Sequence, residues 1–239
     1  GDYEDIMLDT EELICFVWER FTNRAAANVP PLRVRGGKGA LQIRAAHNSS
    51  QPPLTLRGGD FRRLTVAEAF ETYANLKTEN FSEADWIDTA KKFGHNIATI
   101  DDAFFALFLN LVESKLPQNE PVFIKDYPLF QAALAKISDK NPRVAERFEL
   151  YWGGLELANA FSELVDAEAQ ETRFKKNQEI RRQLGKPVLP IDPEFLEALK
   201  KGFPPTGGIA LGVDRLLMLL TGAKDINDVL PFPANKLNK

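Results

Sequence analysis

Apolar residues along this chain recur at two spacings, and the changes from one to the other mark out its elements. Asp9 and Glu12 read as a capping box ahead of Leu13, Val17 and Phe21, which predicts a first helix over 9–22. Thr65 with Glu68, and Ser82 with Asp85, cap two short helices. Asp101 opens a more apolar helix through Phe104, Phe105, Phe108 and Leu111. The spacing then shortens to that of a strand over 121–127. The strongest hairpin signal follows: 144–152, then Gly153-Gly154, then 155–164. A polar helix over 166–184 leads through a proline-containing loop to Asp192-Pro193, an N-cap and first-turn pair. Residues 207–222 read as strand, glycine turn and helix.

With Gly153-Gly154 as a two-residue turn, Trp152 faces Leu155 and Tyr151 faces Glu156. Strict alternation puts Phe148, Leu150, Trp152, Leu155, Leu157 and Phe161 on a buried face. Arg147, Glu149, Tyr151, Glu156 and Ala158 take the other, with Glu149 and Glu156 as diagonal neighbours. Two carboxylates on one rigid surface repel unless a cation lies between them, and Mg²⁺ is commonly held by a pair of acids and substrate phosphates. The same spacing also describes a solvated polar strand whose charges pair with Arg147. In the last motif, small residues at 208, 210 and 212 clear one strand face for a flat ligand, or simply permit close strand–helix packing. Arg215 falls in the first helical turn, where the macrodipole disfavours a cation, which suggests that it serves an anion.

Composition narrows the function. At 239 residues, 44% hydrophobic, the chain holds enough apolar surface for one large domain mixing helix and strand, or at most two small ones. A net charge of −4 argues against a general nucleic-acid binder. Cys15 is the only cysteine, which excludes an internal disulfide. With no signal peptide, it favours a reducing cytoplasm. With only His47 and His95 beside it, a zinc site is nearly excluded. No apolar run reaches the ~20 residues of a membrane span. Against this acidic background, residues 24–63 carry eight bases and one acid. Leu32–Arg35 and Ala40–Ile43 flank a glycine turn there, predicting a basic hairpin insertion: a docking arm for an acidic partner, or a solvated loop.

The run Arg147-Phe-Glu-Leu-Tyr-Trp-Gly-Gly-Leu-Glu-Leu-Ala-Asn-Ala-Phe-Ser-Glu-Leu164 resembles the lysyl-tRNA synthetase branch of the class II synthetases. Gly208-Ile-Ala-Leu-Gly-Val-Asp-Arg215 is similar to that class's third motif, and Asp228-Val-Leu-Pro-Phe-Pro233 to its usual sequel. Gln131–Ile137 and Val144–Glu149 resemble the paralogues that attach a lysine-type residue to a lysine of translation elongation factor P. The resemblance covers 121–233 firmly and 1–120 loosely. It implies an α+β fold, an antiparallel sheet flanked by helices, with 1–239 as the C-terminal part of a class II catalytic domain. The family's first and second motifs have no counterpart here, and the chain opens on Gly1, which reads as a fragment.

The implied enzyme is a cytoplasmic ligase, a homodimer at full length, acting away from membranes. It would activate lysine or β-lysine with ATP and Mg²⁺ and transfer it to elongation factor P. Alternatives are charging of a lysine tRNA, or a non-catalytic paralogue. Carried over by residue, Glu149 and Glu156 would hold Mg²⁺, and Glu156, Leu157, Gly212 and Arg215 would bind ATP, with Arg215 catalytic. Asn159, Glu163 and Ala210 would meet the amino acid, Glu163 facing its side-chain amine. These roles require a β-bulge near Leu157–Ala158, because a regular strand turns Asn159 and Glu163 away from Glu156.

Overall fold

The computed structural model describes residues 1–26, 61–95, 97 and 99–233, without the side chains of 23–26. The expected basic hairpin lies largely outside the described residues; its last arginines, Arg62 and Arg63, stand in a strand. The centre is a five-stranded sheet in chain order: β1 (Arg62–Thr65), β2 (Val122–Pro128), β3 (Val144–Trp152), β4 (Leu155–Ser162) and β5 (Gly207–Leu211). It is antiparallel, as expected, except that β1 runs parallel to β2.

The first helix, α1 (Tyr3–Ala26), starts earlier and runs longer than the pattern implied. Asp9 and Glu12 lie inside it; the cap is Asp2, whose carboxylate accepts from the Glu4 and Asp5 amides at 2.9 and 3.2 Å. Leu13 is half exposed, while Tyr3, Met7, Ile14 and Cys15 are buried against the sheet. The helix is apolar on more than one side: of the three residues at helical spacing, Val17 packs against the core on the sheet face while Leu13 turns away from it. Buried Glu11 accepts from the Phe61 amide at 3.1 Å and pairs with Arg63, fastening α1 to the β1 edge. Helix α7 (Val213–Thr221) joins α1 on this face, over Phe123, Phe148, Leu150, Trp152 and Leu157.

The opposite face carries α2 (Val66–Ala74), α3 (Glu83–Lys92) and α4 (Ile100–Leu107). Both expected capping boxes are present; α4 is capped by Thr99 rather than opened by Asp101. Phe70, Trp86, Phe104 and Phe108 form an aromatic core over Val122 and Ile124 of β2 and Tyr151 of β3. α2–α4 lean on the β1–β3 side, and among the described residues they leave the β4–β5 half of this face uncovered. Helices α5 (Ala167–Gln183) and α6 (Pro193–Lys200) connect β4 to β5, capped by Asp166 and Asp192.

Candidate active site

The β3–β4 turn is built as its glycines require, with Gly153 and Gly154 at φ 62° and 76°. Trp152 pairs with Leu155 and Tyr151 with Glu156, and then the register shifts, so that Leu150 faces Ala158 and Glu149 faces Asn159. Leu157 is the extra residue of a β-bulge. Two expectations change as a result. Ala158 turns into the core with Leu150, and Phe161 leaves it to sit opposite Arg147, packed against Ala132, Ala135 and Ala145. Asn159 comes onto the Glu149 face, and Ala210 of β5 pairs directly with Asn159. Glu163 follows by alternation; its carboxylate lies 2.4 Å from where a Cβ on Gly208 would stand. That glycine makes room for the acid.

Glu149 is not on a solvated strand. It is 8% exposed and gathers four donors. Oε1 accepts from Arg147 at 2.6 Å and from Asn159 Nδ2 at 3.3 Å. Oε2 accepts from the Tyr127 and Tyr151 hydroxyls at 2.6 and 2.5 Å. A carboxylate offers about four lone-pair positions, so all are used. Tyr127 reaches it because Asp126, at φ 59°, bulges β2 and returns the next side chain to this face. Arg147 in turn donates to the Gln131 carbonyl at 2.7 Å and Asn159 Oδ1 at 3.3 Å, and stacks 4.5 Å over Tyr127. Burial, then the Glu149 charge, push both tyrosine hydroxyls far up, so they stay donors.

Glu156 stands differently, 40% exposed at its side chain. Burial, followed by the Glu149 charge, raises its carboxyl above the usual range, with Arg215 pulling the other way. Glu113, on the short turn Glu113–Lys115, is raised by burial and by Glu149. The sequence offered no sign of it: the π-helical turn Phe108–Val112 carries the chain there from α4. Burial alone raises Glu163.

The bulge also meets the glycine turn. The Gly212 amide donates to the Leu157 carbonyl at 2.8 Å, and Arg215 donates to the Glu156 carbonyl at 2.6 Å. Glu156, Leu157, Gly212 and Arg215 are thus brought together, with Arg215 4.0 Å from the Glu156 carboxylate. Among the described residues no three acidic, histidine or cysteine side chains converge as a metal cluster. The donor chemistry still fits Mg²⁺, which takes one or two carboxylates and completes its shell with phosphate and water. Glu156 has free lone pairs, and a positive ion would relieve its repulsion from Glu149. Glu149 would contribute only by exchanging a hydroxyl donor for the ion.

A family model for class II tRNA synthetases of the D, K and N type matches residues 1–236. The chain belongs to this family. It is 53% identical to the elongation factor P–(R)-β-lysine ligase of Histophilus somni over 126 residues, 53% of this chain and 39% of that protein. The ligase of the same name from Haemophilus ducreyi is 43% identical over 166 residues, 68% of this chain and 51% of the relative. The lysine–tRNA ligase of Cupriavidus pinatubonensis is 42% identical over 182 residues, 72% of this chain and 35% of that protein. This synthetase chain therefore spans about half the length, or less, of these curated relatives. No helix among its described residues is long and apolar enough to cross a membrane.

Proposed function

We propose that this synthetase chain is the C-terminal part of an enzyme that activates a lysine-type amino acid with ATP and transfers it to a lysine of elongation factor P. The observation that supports this reading is the bulge at Leu157, which puts Asn159 opposite Glu149 and beside Ala210 on one sheet face. That face has an acid at each end: Glu156 toward the turn carrying Arg215, and Glu163 against Gly208. Glu163 has no cation among its described partners, and its burial disfavours the bare carboxylate. A substrate ammonium there would make good the charge. Asn159 is held by Arg147 and Glu149, so its amide is fixed in orientation before a substrate arrives.

At the other end Glu149 and Glu156 would hold Mg²⁺, which neutralises phosphate charge when bound. Arg215, half exposed and anchored through one nitrogen, would turn its remaining donors to the γ-phosphate, with the adenine over Gly212 and Leu157. The substrate carboxylate oxygen attacks the α-phosphorus, and the bond to the bridging oxygen breaks to release pyrophosphate. The acceptor amine then attacks the adenylate carbonyl and AMP leaves. Such an enzyme acts in the cytoplasm, where translation factors are.

Charging of a lysine tRNA is the second reading, favoured by the 42% identity to a lysine–tRNA ligase. The acceptor separates the two. With ATP, Mg²⁺ and labelled (R)-β-lysine, the full-length protein is expected to label elongation factor P and leave tRNA unlabelled. Label on tRNA alone would replace this reading with the second.

A further inference from the structure

Helix α5 is polar along most of its length, yet its few large apolar side chains do not pack into the core. Phe174, Ile180 and Leu184 line one wall of an open groove of about 660 Å³, closed by Leu189 in the proline loop and Phe195 of α6. Ile180, Leu184, Leu189 and Phe195 are 41%, 54%, 65% and 42% exposed. The groove is preformed: Gln178 Nε2 donates to the Leu189 carbonyl at 2.7 Å and Arg181 Nε to the Pro187 carbonyl at 2.5 Å. Pro187, Pro190 and Pro193 further restrict the loop.

The charge around it is mostly basic. Residues 173–191 carry six bases against Glu179. Of the charged residues lining the groove, Arg181 and Lys186 are basic, while Asp192 is an acid whose carboxylate is engaged in capping α6. Lys175 and Arg182 are neutralised by Glu171 and Glu179. Arg181 and Lys186, both lining the groove, have no ion pair among the described residues. An apolar slot edged by free cations suits an apolar side chain flanked by carboxylates. Single-stranded RNA would want open aromatic platforms, but here the two rings pack on each other at 6.1 Å and most of the exposed apolar residues, Ile180, Leu184 and Leu189, are aliphatic. Location adds to the argument. α5 begins five residues after Ser162, and its Arg173 donates at 2.7 Å to the carbonyl of Ala135, which bridges to Glu163. At ~1.5 Å per residue, Phe174 lies about 10 Å along the helix from its start. A small substrate would not reach both places; a macromolecular acceptor would.

We infer that the α5–α6 groove docks the acceptor protein through an acidic segment carrying an apolar anchor, while its target lysine reaches the Glu163 end of the sheet. This rests on the proposed transfer to a protein. The test uses the full-length enzyme with elongation factor P as the probe, comparing wild type with Leu184→Asp/Leu189→Asp and with Arg181→Glu/Lys186→Glu. Lysine-dependent ATP–pyrophosphate exchange should be unchanged in both. KM for the factor should rise at least about tenfold with little change in kcat, as for a central interface contact. The charge-reversed variant should lose most of that defect at high salt. An unchanged KM for the factor, or lost exchange in the variants, would overturn the docking surface while leaving the transfer intact. Failure of the wild type to modify the factor would instead remove the transfer reading, and the docking surface with it.

Discussion

Replacing Glu149 with Gln tests whether the site is built around a buried, fully paired carboxylate. Arg147 and Glu149 are 11% and 10% exposed at their side chains, and their contact is 2.6 Å. The two tyrosine hydroxyls can rotate to accept from the new amide, so the loss falls mainly on the ion pair. Removing one partner of a buried pair leaves the other charge stranded, which costs about 3–5 kcal/mol. For a domain of this size ~1 kcal/mol corresponds to ~2–4 °C in Tm, so Glu149→Gln should lower Tm by roughly 6–20 °C. Arg147→Met should cost a similar amount, and the double variant should lose less than the two singles together, because the stranded charge is then absent. Thermal and urea unfolding of the four proteins read this directly. A Glu149→Gln protein within ~1 kcal/mol of wild type, with additive singles, would refute the paired-carboxylate account. Had Glu149 lain on a solvated strand, its loss would have spared the fold; its burial makes it both a framework residue and a candidate ligand.

Glu156→Gln should do the opposite to stability. Its carboxyl is raised in the fold, so it favours folding only below the unfolded carboxylate range and disfavours it increasingly as pH rises through the folded value. The variant should therefore melt above wild type at neutral pH and near it at acid pH; a variant that melts lower at neutral pH would contradict this. Gly208→Ala puts a methyl 2.4 Å from Glu163 Oε1, the free end of a flexible side chain. The fold should hold while kcat/KM for the amino acid falls roughly 10–100-fold, and normal kinetics would show that Glu163 is not a contact. Ala210→Gly should shift preference toward ordinary lysine over (R)-β-lysine by roughly 10–200-fold, the worth of one methyl in a tight pocket, and an unchanged isomer ratio would leave Ala210 a packing residue.

The hairpin was legible because Gly153-Gly154 fixes the first two cross-strand pairs, and both occur. What the alternating pattern did not carry is the residue that breaks it. Leu157 is apolar whether regular or bulged, so the displacement of Ala158 and Phe161 left no mark in the sequence, and only the resemblance required it. The bulge at Asp126, which delivers Tyr127 to Glu149, was equally silent. In α1 two apolar stripes competed, and the choice between Leu13 and Ile14 depends on which side the sheet lies. Glu113 was out of reach for a different reason: a π-helical turn sets its direction, and hydrophobic spacing does not encode one.

The central claim is that Glu156, Arg215, Asn159 and Glu163 form one site that turns a lysine-type amino acid into its adenylate. ATP–pyrophosphate exchange by the full-length protein tests it most directly, run with (R)-β-lysine, ordinary lysine and leucine, with and without Mg²⁺. Exchange should require Mg²⁺ and a lysine isomer, favour the β-isomer, and fall at least about a hundredfold in Glu163→Gln, which leaves the substrate ammonium without its charge partner. Exchange supported equally by leucine, or by no lysine isomer at all, would contradict it.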